Sequence, residues 1–127
     1  MAEPLISLRG ITKKFGAVSA LTDIELDVHA GEVVALVGDN GAGKSSLIAC
    51  LAGLLDADSG TAALDGAALS ALPPRERARA IGYLPQSAEV AWDMSVETLV
   101  GLGRLPWRLD TAEDETAVAE AIAAMDL

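Results

Sequence analysis

Basic residues are scarce in this sequence. Nine Lys and Arg stand against 19 Asp and Glu, a formal net charge of −10. A nucleic-acid partner needs a basic footprint to meet phosphate backbones, so this balance argues against one, while leaving room for a small basic pocket. Cysteine is limited to Cys50, which rules out an internal disulfide and fits a reducing compartment. No cation or histidine stands beside Cys50 in sequence, so it reads as a small buried helix residue rather than a reactive thiol. Aromatics make up 3% of the chain, and Phe15 is the one Phe. Long apolar runs are missing too. Nothing approaches the ~18 residues of a membrane span, so no direct membrane insertion is expected. "MAEPLISLRG" carries neither the basic nor the apolar region of a signal peptide. The expectation is a cytoplasmic chain that reaches a membrane only through a partner.

What is present is apolar and patterned. Half of the 127 residues are apolar (51%), enough for the packed core of one ordinary domain. "PLISLRGITKKFG" alternates and reads as a strand over residues 5–14. In "LTDIELDVHAGE", Leu21, then Ile24, Leu26 and Val28 face one way and Asp23, Glu25 and Asp27 the other, a half-buried strand that ends in a turn at Ala30-Gly31. "VVALV", residues 33–37, is apolar on both faces, as expected of a central parallel strand. Residues 45–54 have helical character, with Gly53 near the end. "SGTAALDGAALSAL" reads as a hairpin turning at Asp65-Gly66, and "PPRERARA" as a short helix. "IGYLP" reads as a strand stopped by proline. Ser95 caps a helix with an apolar face at Val96, Leu99 and Val100. A last helix opens at Asp110 or Thr111, with Glu113, Asp114 and Glu115 in its first turn and Val118, Ile122 and Met125 along one face. Together these elements predict an α/β fold.

One motif carries chemistry. Gly38-x-x-x-x-Gly43-Lys44-Ser45 matches the phosphate-binding loop pattern, with an apolar strand expected before it and a helix after it. Glycines let backbone N–H groups converge on phosphate oxygens without a Cβ in the way. The following helix aims unsatisfied N–H groups at the same anion. Lys44 adds a full charge at the β and γ phosphates, and the Ser45 hydroxyl can ligate Mg²⁺.

The stretch "VGDNGAGKSSLIACLAGLLDADSGTAALDG", followed by "RARAIGYLPQ", resembles the ATP-binding subunit of ABC transporters, and the likeness runs over residues 5–127. The resemblance implies a P-loop NTPase (ABC ATPase) core with an antiparallel β subdomain over residues 1–86 and the start of a helical subdomain over 87–127, a truncated, first-half portion of such a subunit. It places the Walker A motif on Gly38, Asp39, Asn40, Gly41, Ala42, Gly43, Lys44, Ser45 and Ser46, ending Ser-Ser where Ser-Thr is commoner. Ser45 then ligates Mg²⁺. Gln86 in "YLPQ" falls at the Q-loop position, where its amide meets Mg²⁺ or the attacking water. Lys44 and Gln86 become the catalytic residues of this stretch. Phe15 falls at the A-loop position, where Tyr is usual, and keeps the π face that stacks on adenine.

The same resemblance implies ATP and Mg²⁺ as cofactors. It implies a second ATP-binding subunit and membrane permease subunits as partners, and a place on the cytoplasmic face of the inner membrane. The family's Walker B aspartate, the glutamate beside it, its switch histidine and its "LSGGQ" signature are not found in this sequence. Asp65, before Gly66, reads as a turn residue, and His29, beside the Ala30-Gly31 turn, as a surface residue. These 127 residues alone are therefore not expected to hydrolyse ATP. In the resembled fold, residues 33–37 and 81–84 belong to one parallel sheet with strands from later sequence between them. The first strands and the 61–69 hairpin pair as an antiparallel layer.

Within the family, "VGLGRLP" from Val100 to Pro106 resembles importers of iron-siderophore complexes, haem and cobalamin, where this region lies near the permease-docking surface. From the residues alone it is a helix end, with Gly103 as cap and Pro106 as stop, and both readings can hold. The alternatives are an ABC ATPase for another cargo, a soluble ABC ATPase of translation or repair, and a short non-hydrolysing nucleotide-binding module. The single loop, the acidic balance and "GLGRLP" weigh against the second of these.

Overall fold

A computed structural model describes residues 3–87, 90, 92–107 and 111–127. Two alternating segments become the long strands β1 (Ile6–Phe15) and β2 (Val18–Val28), joined by a turn at Gly16 and Ala17. They pair antiparallel, from Ile6 opposite Val28 to Phe15 opposite Val18. The Arg9 guanidinium closes a two-pronged pair on Asp27 across this ladder, at 2.8 and 3.0 Å. Asp27 is held below the usual carboxylate range, first by that hydrogen bond.

The expected hairpin is present as β3 (Ser59–Leu64) and β4 (Ala67–Ala68). Asp65 and Gly66 both have positive φ, 54° and 81°, as a two-residue hairpin turn of the right twist requires. The sheet order is β2-β1-β3-β4, antiparallel throughout. This is the antiparallel layer that the sequence predicts.

One side of the sheet rests on α1 (Lys44–Leu51). Leu8 and Ile11 are 0% and 1% exposed and meet Leu21 from β2 and Leu47 and Cys50 from α1. Removing either fully buried side chain to Ala should cost about 2–5 kcal/mol. Cys50 is buried, as expected of a structural cysteine, and burial pushes its thiol pKa up. The helix closes with the Leu54 N–H on the Ala49 carbonyl (2.9 Å) and the Gly53 N–H on that of Cys50 (3.1 Å). That pair is the Schellman closure, which satisfies carbonyls the last turn leaves open.

The central strand expected at residues 33–37 is corrected. No hydrogen-bonded strand is assigned there, and Val33 and Val37 are 96% and 90% exposed, while Leu36 packs against the core. Residues 81–84 likewise form no strand. Apolarity suits a segment for a sheet, but a strand exists only where a neighbour takes its N–H and C=O groups. Among the described residues nothing pairs with either segment.

The chain divides into two compact units, Met1–Arg77 and Ala78–Leu127. The short helix α2 (Pro74–Ala80) spans the division. In the second unit α3 (Val96–Gly101) starts as expected, with the Ser95 hydroxyl accepting the Thr98 N–H at 3.1 Å. Its expected apolar face is only partly used: Val100 is half-buried, while Val96 and Leu99 stay exposed. Gly103 is not a helix cap, because the chain tightens into a 3₁₀ turn over Leu102–Arg104. The last helix, α4 (Thr111–Ala124), buries Val118 and half-buries Ile122, while Met125 beyond its end is exposed. Arg104 Nε donates to Asp114 at 2.9 Å, and Arg79 and Arg104 flank the Trp107 ring at 5.0 and 5.7 Å. Asp110 and Arg108 lie outside the described residues. Among the described residues no helix is long and apolar enough to cross a membrane.

Candidate functional site

The site is built on the start of α1. Gly41 and Gly43 have φ of 88° and 90°, a left-handed backbone that lets the loop double back into the helix. The Gly43 carbonyl accepts the Leu47 N–H at 2.9 Å, so Gly43 is the N-cap. It cannot carry a side chain. A Cβ there would enter the van der Waals shell of the Ala20 carbonyl oxygen and sit 3.1 Å from Leu21 Cδ2. This close approach seats the end of the loop on β2.

Three further features shape the loop. The Ala42 N–H donates to the Asp39 carbonyl at 3.1 Å, tightening the turn through Asn40 and Gly41. The Lys44 ammonium donates back to the Gly38 carbonyl, so the cation folds over the loop from Gly38 to Lys44. No side chain caps the helix start, and no acidic residue stands in its first turn. The leading N–H groups of a helix have no intrahelical acceptor and carry the positive end of its dipole. An ammonium, glycine backbone and an uncapped, acid-free helix start form a donor set that suits a polyphosphate anion. Ser45 is exposed and Ser46 half-buried at the same helix start.

Phe15 ends β1 with half of its surface exposed. It belongs to the same unit as the loop, and its hairpin reaches the loop through Ala20 and Leu21 at Gly43. Gln86 is exposed and lies in the second unit. Sequence reasoning missed the surroundings of Phe15. Lys13 Nζ lies 5.4 Å from its ring centroid and 3.3 Å from Asp58 Oδ1. The Asp58 carboxylate also accepts the Lys14 N–H at 2.7 Å. Asp58 is held below the usual carboxylate range by that backbone donor first and by Lys13 second. A lysine pair just before the aromatic was the available signal. Its partner is 45 positions away from Lys13.

An antiparallel sheet packed on a helix that begins in a glycine-lysine loop is the arrangement of an α/β protein with a P-loop. The chain belongs to the ABC transporter family, which it matches over residues 21–127. It is 41% identical over 122 residues to a haemin import ATP-binding protein of Pseudomonas entomophila, an alignment that covers 96% of this chain and 48% of that protein. The chain thus spans about half the length of this curated relative. It is 42% identical over 126 residues to a putative ribose/galactose/methyl galactoside import ATP-binding protein of Burkholderia lata, covering 98% of this chain and 25% of that one. Among solved structures, the dimeric ATP-binding cassette MJ0796, bound to ADP and Pi after hydrolysis, superposes with a TM-score of 0.79 at 22% identity. That match covers 96% of this chain and 57% of the cassette, and bears on the fold.

Proposed function

We propose that this chain carries the nucleotide grip of an ATP-binding subunit that, intact and dimeric, hydrolyses ATP to drive an ABC importer. The observation that supports this most is the Lys44 ammonium folded across the loop at the uncapped start of α1. In this reading the residues 38–46 hold the β and γ phosphates, Lys44 neutralises them, and the Ser45 hydroxyl would hold Mg²⁺. Phe15 offers its open ring face to adenine. ATP with Mg²⁺ supplies the phosphoryl group that passes to water. This chain's own residues bind and orient it, and Gln86 positions the water. The second ATP-binding subunit and the permease complete the transporter at the cytoplasmic face of the inner membrane.

For cargo we propose the haem, iron-siderophore and cobalamin class. The relative named for haemin import and the run Gly103-Arg104-Leu105-Pro106 support this. A sugar cargo is the second reading, favoured by the relative named for ribose and galactoside import.

Lys44→Ala in the intact subunit should abolish ATP turnover and leave the fold intact. Turnover at the wild-type rate in a folded Lys44→Ala protein would falsify the loop assignment. Reconstituted with its permease, the subunit should raise its ATPase rate with haem-type cargo. Stimulation by ribose instead selects the second reading.

A further inference from the structure

We propose that Lys13 and Asp58 are positioning residues that set the plane of the Phe15 ring for the base of the nucleotide. This rests on the reading of Phe15 as the base-stacking residue. It adds how the ring is held and which face it offers.

The argument starts at the end of the β1–β3 ladder. The last paired residues are Thr12 and Ser59, so β1 runs on to Phe15 with no strand beside it on that edge. Asp58 takes over there. Its own N–H donates to the Thr12 carbonyl at 2.9 Å, and its side chain accepts the Lys14 N–H at 2.7 Å. A side-chain carboxylate thus continues the ladder by one peptide and fixes the strand end that carries Phe15.

The same carboxylate draws in Lys13 Nζ at 3.3 Å. Lys13 and Phe15 are two apart in β1 and lie on one face of the strand. The Lys13 side chain is only 17% exposed, and its ammonium stands 5.4 Å from the ring centroid. The cation is therefore held between carboxylate and ring. The ring has one face engaged by a cation and half its surface open.

The register also places this arrangement toward the loop. Lys13 is opposite Leu21, and Leu21 Cδ2 is one of the atoms, after the Ala20 carbonyl oxygen, that a Cβ at Gly43 would meet. A ring held in one plane loses less freedom when a purine stacks on it, so holding it strengthens binding of the base and not of the phosphates. An exposed ion pair with no such role would add little to stability and nothing to base recognition.

The test compares two probes on the intact protein: ATP, and inorganic tripolyphosphate, which has no base. Phe15→Ala should weaken ATP roughly 5- to 150-fold, the range for losing one base–aromatic stack. Lys13→Gln and Asp58→Ala should each weaken ATP roughly two- to fivefold, with tripolyphosphate affinity unchanged. Lys13→Arg, which keeps the cation, should bind ATP as wild type does. In a Phe15→Ala background neither variant should weaken ATP further. If Phe15→Ala weakens ATP and the Lys13 and Asp58 variants do not, the positioning proposal is overturned and the stacking reading stands. Unchanged ATP affinity in Phe15→Ala overturns the stacking reading itself. A matching loss of tripolyphosphate binding in Asp58→Ala would make Asp58 a support of the loop, and overturns the proposal too.

Discussion

Gly43→Ala separates two costs that the loop geometry combines. At φ of 90° an L-residue sits in the left-handed region, which costs about 1–2 kcal/mol. The new Cβ also enters the shell of the Ala20 carbonyl oxygen and lies 3.1 Å from Leu21 Cδ2, a crowding of the kind that costs about 1–3 kcal/mol. Ala restricts the unfolded chain more than Gly does, which offsets about 0.4–1 kcal/mol. The net is a loss of about 1–5 kcal/mol, against the ~5–15 kcal/mol that holds a domain together. Gly41→Ala is the control. Its φ is 88°, yet a Cβ there meets nothing within 4 Å, so only the backbone cost applies, about 0–1.6 kcal/mol after the same offset. Urea unfolding of the two variants reads the difference. At a slope of about 2 kcal/mol/M, Gly43→Ala should lower the midpoint by roughly 0.5–2.5 M and Gly41→Ala by under about 0.8 M. Equal shifts would refute the close approach between loop and β2, and no shift in either would refute the left-handed loop.

Two further outcomes follow from ionisation. Asp27, Asp58 and Glu32 have lowered pKa values, led respectively by the Arg9 hydrogen bond, the Lys14 N–H and the His29 N–H. A carboxylate lowered on folding adds stability above its unfolded value and loses it as pH falls through the folded one. The urea midpoint should hold level from neutral pH to about 5 and drop below about 4, with a shallower drop in Asp58→Asn; an acid limb identical in that variant would count against the Asp58 contacts. Cys50 is buried with a raised pKa, so a thiol reagent should modify it at least about tenfold more slowly in the native protein than in urea, and equal rates would place it outside the core.

The antiparallel sheet was legible because its signal is local. Ile24 and Leu26 alternate with Glu25 and Asp27, and Asp65-Gly66 can adopt the turn their φ values show. The phosphate loop was legible for the same reason, since its glycines, lysine and serine are consecutive. Residues 33–37 and 81–84 read as strands from their apolarity, and they form none because among the described residues no neighbour takes their N–H and C=O groups. The end of α3 was misread because a 3₁₀ turn through Gly103 serves where a left-handed glycine cap was expected. The support of Phe15 was hidden by distance. Thr12, Lys13 and Lys14 converge on an aspartate that the hairpin brings back, and no spacing rule connects them.

The Met1–Arg77 unit has a further consequence when the chain is considered as it is made. Every strand of the sheet, and α1 beneath it, has its partners inside the first 77 residues. The sheet can therefore close as soon as that length has left the ribosome, which at about 5–20 residues per second takes a matter of seconds. The valines at 33 and 37 emerge in the same interval and gain no partner from that closure. Exposed valines of this kind are surface that unrelated nascent chains and chaperones compete to cover. The order of synthesis thus lets the sheet close early, while the valines at 33 and 37 stay open to other surfaces for an interval.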